Sequence, residues 1–315
     1  MRSKCLEIAY LVRVEKANLN AAGTEGNVTL LKKVRDIDGK EYLYVSGVAV
    51  KYWIKEMLKE MEKETEIKCS PVLSAGEENP ITKEKEDQIT SIGDPWSYID
   101  DDLFGFLLPR ADRKRVAPVK TNGLISIFPY TGDINVGVRY DPKGREHALW
   151  DMEIANTILR GNWLIELDRI GKFGKDELGK EKIEELPDEL KEKRIKAFLH
   201  CFFNLFGGAK QSSFLTSTEP RVVCLILLDK KKPVIFDRLK VDENFKLDED
   251  ALLQSFNLHK TDIKETYIGI DPTCIKTDFK ALRNAISTIV GNKIVEVDEL
   301  SKIKEKILSP QFKFY

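Results

Sequence analysis

Histidine is scarce in this chain of 315 residues, and the common catalytic motifs are absent. None of the three histidines, His147, His200 and His259, has the spacing of a metal-ligand motif. The chain also lacks the GxxxxGK[ST] phosphate loop and the glycine fingerprint of dinucleotide-binding folds. These absences predict no metal site, no cofactor and no catalytic residue. They favour a binding protein over an enzyme.

Cysteine and long apolar runs are also limited. Five widely spread cysteines without a CxxC pair predict reduced, mostly buried thiols. No run approaches the ~18 apolar residues of a membrane span, and the start does not resemble a signal peptide. The sequence therefore predicts a cytoplasmic protein without a membrane partner.

Charge of one sign is not in excess, because the formal net charge is -1. This value excludes a wholly basic nucleic-acid coat but leaves a local basic groove possible. Charged residues make up 33% of the chain and are mostly lysine and glutamate, which is typical of proteins from hot environments. The run Asp100, Asp101 and Asp102 is interpreted as an exposed turn in preference to a Mg²⁺ site.

Residues 6–27 form the first candidate binding element. Apolar and polar residues alternate over the first half, which predicts a strand with one buried face. Asn18, Asn20 and Gly23 then predict a polar loop, and amide donors and exposed backbone N–H groups suit phosphates and sugars.

A helix capped by Ser46 and ending near residue 63 forms the second element. Lys51 lies in its first turn, where a cation opposes the helix dipole, so we expect Lys51 to serve an anion. Lys55 and Lys59 are interpreted as a solvated face.

Two further segments suit nucleic-acid binding. After the glycine pair 207–208, charge and neutral hydrogen-bonding groups follow at Lys210, Gln211, Ser212 and Ser213. The densest basic run, residues 110–115, contains Arg113 and Arg115 and predicts an electrostatic contact. Each segment also has an alternative that remains open. Residues 207–213 can be a plain helix end and loop, and residues 110–115 can be a solvated surface run.

The order of predicted elements favours an α+β fold with an antiparallel sheet, most simply a split β-α-β arrangement of ferredoxin type. His200 is interpreted as a packed residue of an apolar helix over residues 191–206. His147, in a loop without a visible partner, is a candidate for a general base.

Several short motifs in a fixed order resemble the DevR-type family of CRISPR-associated autoregulator proteins, over about residues 4–240. They are the segments 18–23, 44–47, 102–105, 114–119 and 207–211, with Pro220 downstream. The family often has serine where this chain has Ala117 and arginine where it has Lys51. The subtype is similar to I-B.

The resemblance implies a backbone subunit of a type I, Cascade-like surveillance complex in the RAMP superfamily. It implies an RRM-like palm over residues 1–63 and 121–315, a finger-like insertion over 64–120, and a thumb over about 170–192 with Phe173 as a wedge. Expected partners are the crRNA, further copies in a helical filament, other Cascade subunits, and target DNA paired to the guide.

Nuclease relatives in type III complexes use an aspartate in the loop after the first strand. This loop has Glu25 and no aspartate, so the resemblance implies a protein that does not cleave RNA. Two alternatives stay open: a crRNA-processing endoribonuclease with His147 as its base, and a transcriptional autoregulator.

Overall fold

Most strands of the protein gather in one large sheet, described for residues 3–144, 148–179 and 183–315 in a computed structural model. In chain order the strands are β1 (Cys5–Ala17), β2 (Ala21–Glu25), β3 (Val28–Leu31), β4 (Lys33–Arg35), β5 (Glu41–Val45), β6 (Val72–Leu73), β7 (Thr90–Ser91), β8 (Phe106–Leu108), β9 (Arg113–Arg115), β10 (Val119–Ser126), β11 (Asp133–Arg139), β12 (Ala148–Ile165), β13 (Lys172–Phe173), β14 (Glu184–Glu185), β15 (Pro220–Leu228), β16 (Ile263–Ile270) and β17 (Ile294–Glu299). The main path through the sheet runs β17-β16-β15-β1-β12-β10-β5-β4, with β3 and β11 paired to β12 and β2 paired to β3. Within the described ranges, the β16–β17 and β3–β12 pairs are parallel and the other pairs are antiparallel.

Helices cover both faces of this sheet. They are α1 (Gly47–Met61), α2 (Ile99–Phe104), α3 (Lys175–Leu178), α4 (Asp188–Phe203), α5 (Gln211–Phe214), α6 (Glu249–His259), α7 (Phe279–Val290) and α8 (Leu300–Leu308). In the described part of the chain, no helix has the length and apolar character needed to cross a membrane.

The centre of the sheet follows the predicted α+β pattern. The chain order β1-α1-β10-β12-α4-β15 and the spatial order β15-β1-β12-β10 form a β-α-β-β-α-β unit. The mixed fold and its mostly antiparallel sheet are therefore confirmed. The division into palm, finger and thumb stays a prediction.

Strand β1 is buried on both faces, although the sequence predicted only one. Leu6, Ile8 and Tyr10 belong to the core under α1 and α4, whereas Ala9 and Leu11 belong to a second core under α6 and α7. The prediction missed the second face because α6 and α7 come more than 200 residues later in the chain.

Glu7 lies on this second face and is completely buried. Its carboxylate accepts hydrogen bonds from the backbone N–H groups of Val234, Ile235 and Phe236 at 2.6–3.0 Å. Burial raises the pKa of Glu7, and the three hydrogen bonds oppose that rise.

Other local predictions had mixed outcomes. Asp38 and Gly39, a pair that predicts a hairpin turn, join β4 to β5. Ser46 caps α1, as expected. The segment after β1 forms the β2–β3 hairpin instead of continuing as a loop. The amphipathic pattern of residues 297–308 predicts one helix, but this segment begins as strand β17 and becomes helical only at Leu300.

Two predictions of exposure were wrong. Asp100, Asp101 and Asp102 are all buried in α2, where neighbouring donors satisfy their carboxylates, so they do not form an exposed turn. His200 is exposed on α4, because it lies on the opposite side of the helix from the packed Phe198 and Phe202.

The predicted wedge is also a packed residue. Phe173 is buried, with the Arg115 guanidinium 4.9 Å from its ring centroid and the Trp96 ring centroid at 6.1 Å. A side chain held this way cannot insert between nucleotides, so the wedge prediction was wrong.

Candidate nucleic-acid interface

The segment after β1 is tied to the N-terminus of α1. The side-chain oxygen of Asn20 accepts a hydrogen bond from the backbone N–H of Ser46 at 3.2 Å. The Ser46 hydroxyl in turn accepts from the N–H of Ala49 at 3.3 Å, which caps the helix. Asn20 therefore positions the helix N-terminus, and Ser46 is half-buried beside it.

Asn18 joins the same segment to a third element. Its backbone oxygen accepts from the N–H of Ala209 at 2.9 Å, and its side-chain amide donates to the carbonyl of Glu153 at 2.9 Å. Asn18 is buried. Its amide thus holds the loops together and is not presented to solvent as the sequence suggested.

The glycine pair brings residues 207–213 against α1. A Cβ atom at position 207 would lie 2.1 Å from the Trp53 ring, so only glycine fits there. Gly208 has φ +116° and Lys210 has φ +56°, and both values are unusual outside glycine. The result is a tight loop that turns the exposed Lys210 side chain toward solvent.

Gln211 organises this loop from within. Its amide nitrogen donates to the carbonyls of Gly207 and Thr216, and its amide oxygen accepts from the N–H of Thr216 at 2.9 Å. Ser212 and Ser213, the next two predicted site residues, are exposed.

The structure thus brings three of the predicted segments together: the segment after β1, the first turn of α1, and residues 207–213. Gly23 is exposed in β2 with φ +132° and has open space around it. Lys51 is half-buried on α1. Burial and the neighbouring Lys55 lower the pKa of Lys51. An anion bound there would therefore be attracted by a positive charge that its surroundings stabilise poorly.

Arg115 does not belong to this surface. Its side chain is 0% exposed and pairs with Asp102 at 2.6 Å and Glu177 at 3.2 Å. The guanidinium also donates to the carbonyls of Asp102, Arg169 and Lys172. All its donors face protein acceptors, so the structure gives Arg115 a structural role where the sequence suggested contact with a strand.

Arg113 is buried in the same way. Its guanidinium donates to the carbonyls of Gly93 and Glu177, each at 2.7 Å, and stacks near Phe106. Burial lowers the pKa of Arg113. The densest basic run in the sequence thus contributes two of its arginines to a buried network, because alternate residues of β9 point inward.

Lys55 also differs from its predicted solvated state. Its ammonium group lies 3.3 Å from the buried Asp100 carboxylate. Lys59 is exposed and pairs with Glu56 at 2.8 Å, as expected for a surface position.

Sequence reasoning missed two exposed aromatic residues beside these elements. Tyr52 is 58% exposed and Phe206 is 51% exposed, and they are chain neighbours of the contacting pair Trp53 and Gly207. Exposed aromatic rings beside basic residues are typical of single-strand binding surfaces. The available signal was the position of Tyr52, which lies outside the apolar stripe that Val50, Ile54 and Leu58 form on α1.

A second missed feature is an apolar stripe on the hairpin of β11 and β12. Ile134, Val136, Val138 and Leu149 are each 59–63% exposed. The even-numbered residues of β11 share one face, and Val138 lies opposite Leu149 in the antiparallel register. Such an exposed stripe is typical of a surface that contacts another macromolecule.

The structure bears on the proposed catalytic histidine and on metal binding as follows. His147 lies outside the described residues. Among residues 3–144, 148–179 and 183–315, no group of three or more histidine, cysteine, aspartate or glutamate side chains is arranged to hold a metal ion.

Comparisons with known proteins find similarity to CRISPR-associated proteins. The family described as "CRISPR-associated negative auto-regulator DevR/Csa2" matches residues 8–247. One solved chain, titled "CRISPR RNA-guided surveillance complex, pre-nicking", is 14% identical with a TM-score of 0.60, covering 98% of this chain and 100% of its own. Another, titled "CRISPR RNA-guided surveillance complex", is 13% identical with a TM-score of 0.57 and the same coverage. No curated protein matched.

Proposed function

The chain belongs to the DevR/Csa2 family of CRISPR-associated proteins, and we propose that it is a crRNA-binding backbone subunit of a type I surveillance complex. In this proposal, several copies line one guide RNA and hold its phosphates and sugars without reading its sequence. The guide then presents its bases for pairing with target DNA, so base pairing supplies the specificity.

The observation that carries the proposal is the convergence of three loop elements on one surface. Asn20 bonds to Ser46, Asn18 bonds to Ala209, and Gly207 packs on Trp53, so the segments form one connected unit. This unit presents the exposed residues Lys210, Ser212 and Ser213. Cationic and neutral donors without a base-reading element suit an RNA backbone.

The apolar hairpin stripe supports self-association. Ile134, Val136 and Val138 would lose exposed apolar surface on contact with a neighbouring copy. We therefore propose that the β11–β12 hairpin takes the thumb-like role that the resemblance gave to residues 170–192, and we keep residues 64–120 as the finger. The β-α-β-β-α-β unit is the RRM-like palm in this proposal.

We further propose that the protein does not cleave RNA. The segment 18–27 contains Glu25, which is exposed at the end of β2, and it contains no aspartate. The surface described above holds a strand by charge and hydrogen bonds, and it presents no pair of groups for general acid–base chemistry.

Purification tests the proposal directly. The protein should carry RNA, seen as excess absorbance at 260 nm, and should migrate as a long oligomer. A monomer that does not bind single-stranded RNA at low salt would contradict it.

Two experiments address the rivals. Incubation with CRISPR repeat RNA should give no discrete cut, whereas a cut lost in His147→Ala would establish an endoribonuclease. The family description includes negative autoregulation, so binding to promoter DNA should be measured in parallel. Tighter binding to that DNA than to RNA would favour a transcriptional regulator.

A further inference from the structure

A basic groove lies at the end of β1, next to the candidate interface. Its volume is about 480 Å³, and Lys16, Asn156, Phe214, Thr216 and Arg221 contribute to its walls. Helix α5 connects the two sites, since it begins just after Lys210 and ends at Phe214 in the groove wall. A strand held at Lys210 is therefore one helical turn from the groove.

The groove wall carries unsatisfied polar atoms. Thr216 is 5% exposed, yet its hydroxyl has no hydrogen-bond partner, and the same is true of the buried Nε of Arg221. Leaving such groups unpaired costs about 1–3 kcal/mol each, so a ligand that reaches them after a local shift of the covering atoms is favoured. Arg221 keeps one terminal nitrogen 3.2 Å from the Asp271 carboxylate, which fixes its orientation.

The groove also continues into an aromatic region. A neighbouring cavity of about 300 Å³ shares Arg13, Glu15 and Asn156 with it and is lined by Phe128 and Phe245. The Arg13 guanidinium lies 5.1 Å from the Phe245 ring centroid and pairs with Glu15 at 3.0 Å. Basic side chains interleaved with aromatic rings are the surface that single-stranded nucleic acid prefers.

The charges in the groove wall favour an anion. Arg13 pairs with the lining residue Glu15, and Arg221 pairs with Asp271, so Lys16 is the lining cation that no ion pair in the described residues neutralises. The exposed Lys16 side chain has no acidic neighbour in the wall other than Glu15, and its backbone N–H is held by the Asn156 side chain at 2.8 Å. Phe214 is half-buried, so part of its ring faces the groove.

We propose that this groove takes one unstacked nucleotide of the bound RNA strand, with its phosphate on Lys16 and Arg221 and its base against Phe214. The proposal rests on the proposed RNA-binding function and extends it from backbone contacts to a defined nucleotide site. Phe128 and Phe245 then lie where a neighbouring base passes.

The first test compares full-length variants in binding to a single-stranded RNA of about 16 nucleotides, the upper end of known single-strand site sizes. Phe214→Ala should weaken binding about 5- to 150-fold without changing the salt dependence, because stacking is lost. Lys16→Gln should lower the slope of log affinity against log salt by about one unit. Lys302→Gln, a charge-matched change on the exposed side of α8, should leave both quantities unchanged.

The second test locates the nucleotide. Single abasic substitutions are moved along the same RNA, and one of them should weaken the wild type but not Phe214→Ala, which is the non-additivity expected of a direct contact. Fully additive effects at all positions would contradict the proposal. Thermal melting of each variant, with Lys16→Gln as the change least able to disturb folding, separates binding from stability.

The outcomes separate this site from the proposed function. If the wild type does not bind RNA, the proposed function fails. If the wild type binds and Lys210→Ala weakens binding, while Lys16→Gln and Phe214→Ala do not, only the groove assignment fails. Saturable binding of a free mononucleotide, with RNA affinity unchanged in the groove variants, would assign the groove to a small ligand and overturn the proposal.

Discussion

Arg115 and Lys210 are both cations that the sequence assigned to RNA, but the structure places them in opposite environments. Arg115 is enclosed by Asp102, Glu177 and three carbonyls, whereas Lys210 is exposed on a strained loop. The difference shows that local charge density is a poor guide to binding. A dense basic run that alternates on a short strand places every second side chain in the interior.

The largest expected effect is the loss of stability when the buried Arg115 is replaced. Arg115→Met should lower the free energy of unfolding by about 3–5 kcal/mol, because Asp102 then keeps only Arg194 as a charged partner among the described residues. Urea denaturation measures this loss. Arg110→Met is the matched control, since Arg110 is an exposed arginine that pairs with Asp87, and little change is expected there.

The opposite result would reverse the interpretation of Arg115. If Arg115→Met unfolds at the same urea concentration as the wild type but loses RNA affinity, Arg115 contacts RNA and the comparison fails.

The second effect concerns the buried carboxylate of Asp101. Burial, and then the neighbouring Asp100, raise the pKa of Asp101 to about 6, compared with about 3.9 in the unfolded chain. The native state therefore favours the protonated form of Asp101. Its contribution to the free energy of unfolding falls as the pH rises from about 4 to about 6 and then levels off.

Asp101→Asn should accordingly gain stability relative to the wild type across that interval, by about 2–3 kcal/mol in total. Unfolding followed at several pH values measures the gain. Asp87→Asn serves as a control, because Arg110 lowers the pKa of Asp87 and the corresponding gain should be absent. A pH-independent difference for Asp101→Asn would contradict the raised pKa.

The sequence predicted what local patterns determine. Alternation located β1, a strongly apolar run located β15, the Ser46 cap and an apolar stripe located α1, and an aspartate-glycine pair located the β4–β5 turn. The order of these elements was enough to infer a mixed fold with an antiparallel sheet.

Partners distant in sequence could not be predicted. The burial of Arg115 depends on Glu177, 62 residues away, and the burial of Glu7 depends on backbone N–H groups 227–229 residues away. Likewise, Phe128, Phe214 and Phe245 gather near one groove system although no aromatic box exists in the sequence. The candidate site was thus predicted as segments but not as a surface.

The third expected effect concerns Gly207, whose contact with Trp53 positions the loop that carries the exposed Lys210. Gly207→Ala should lower the free energy of unfolding by about 1–3 kcal/mol, since its Cβ would overlap the Trp53 ring. It should also weaken RNA binding by shifting Lys210. The cost should shrink when Trp53→Phe is combined with it. Equal costs in both backgrounds, measured by urea denaturation, would show that the contact does not position the loop.

The smallest expected effect follows from removing the exposed charge of Lys210. Lys210→Ala should weaken binding uniformly across RNA sequences and lower the salt slope by about one unit, with no loss of stability. Lys210→Gly removes the same charge and also relieves the positive φ, so the two variants should bind alike if charge alone matters. Filter binding across a salt series compares them. A difference between alanine and glycine, or an unchanged slope in both, would mean that the loop acts through its backbone shape, and Lys210 would then be no more a direct RNA contact than Arg115.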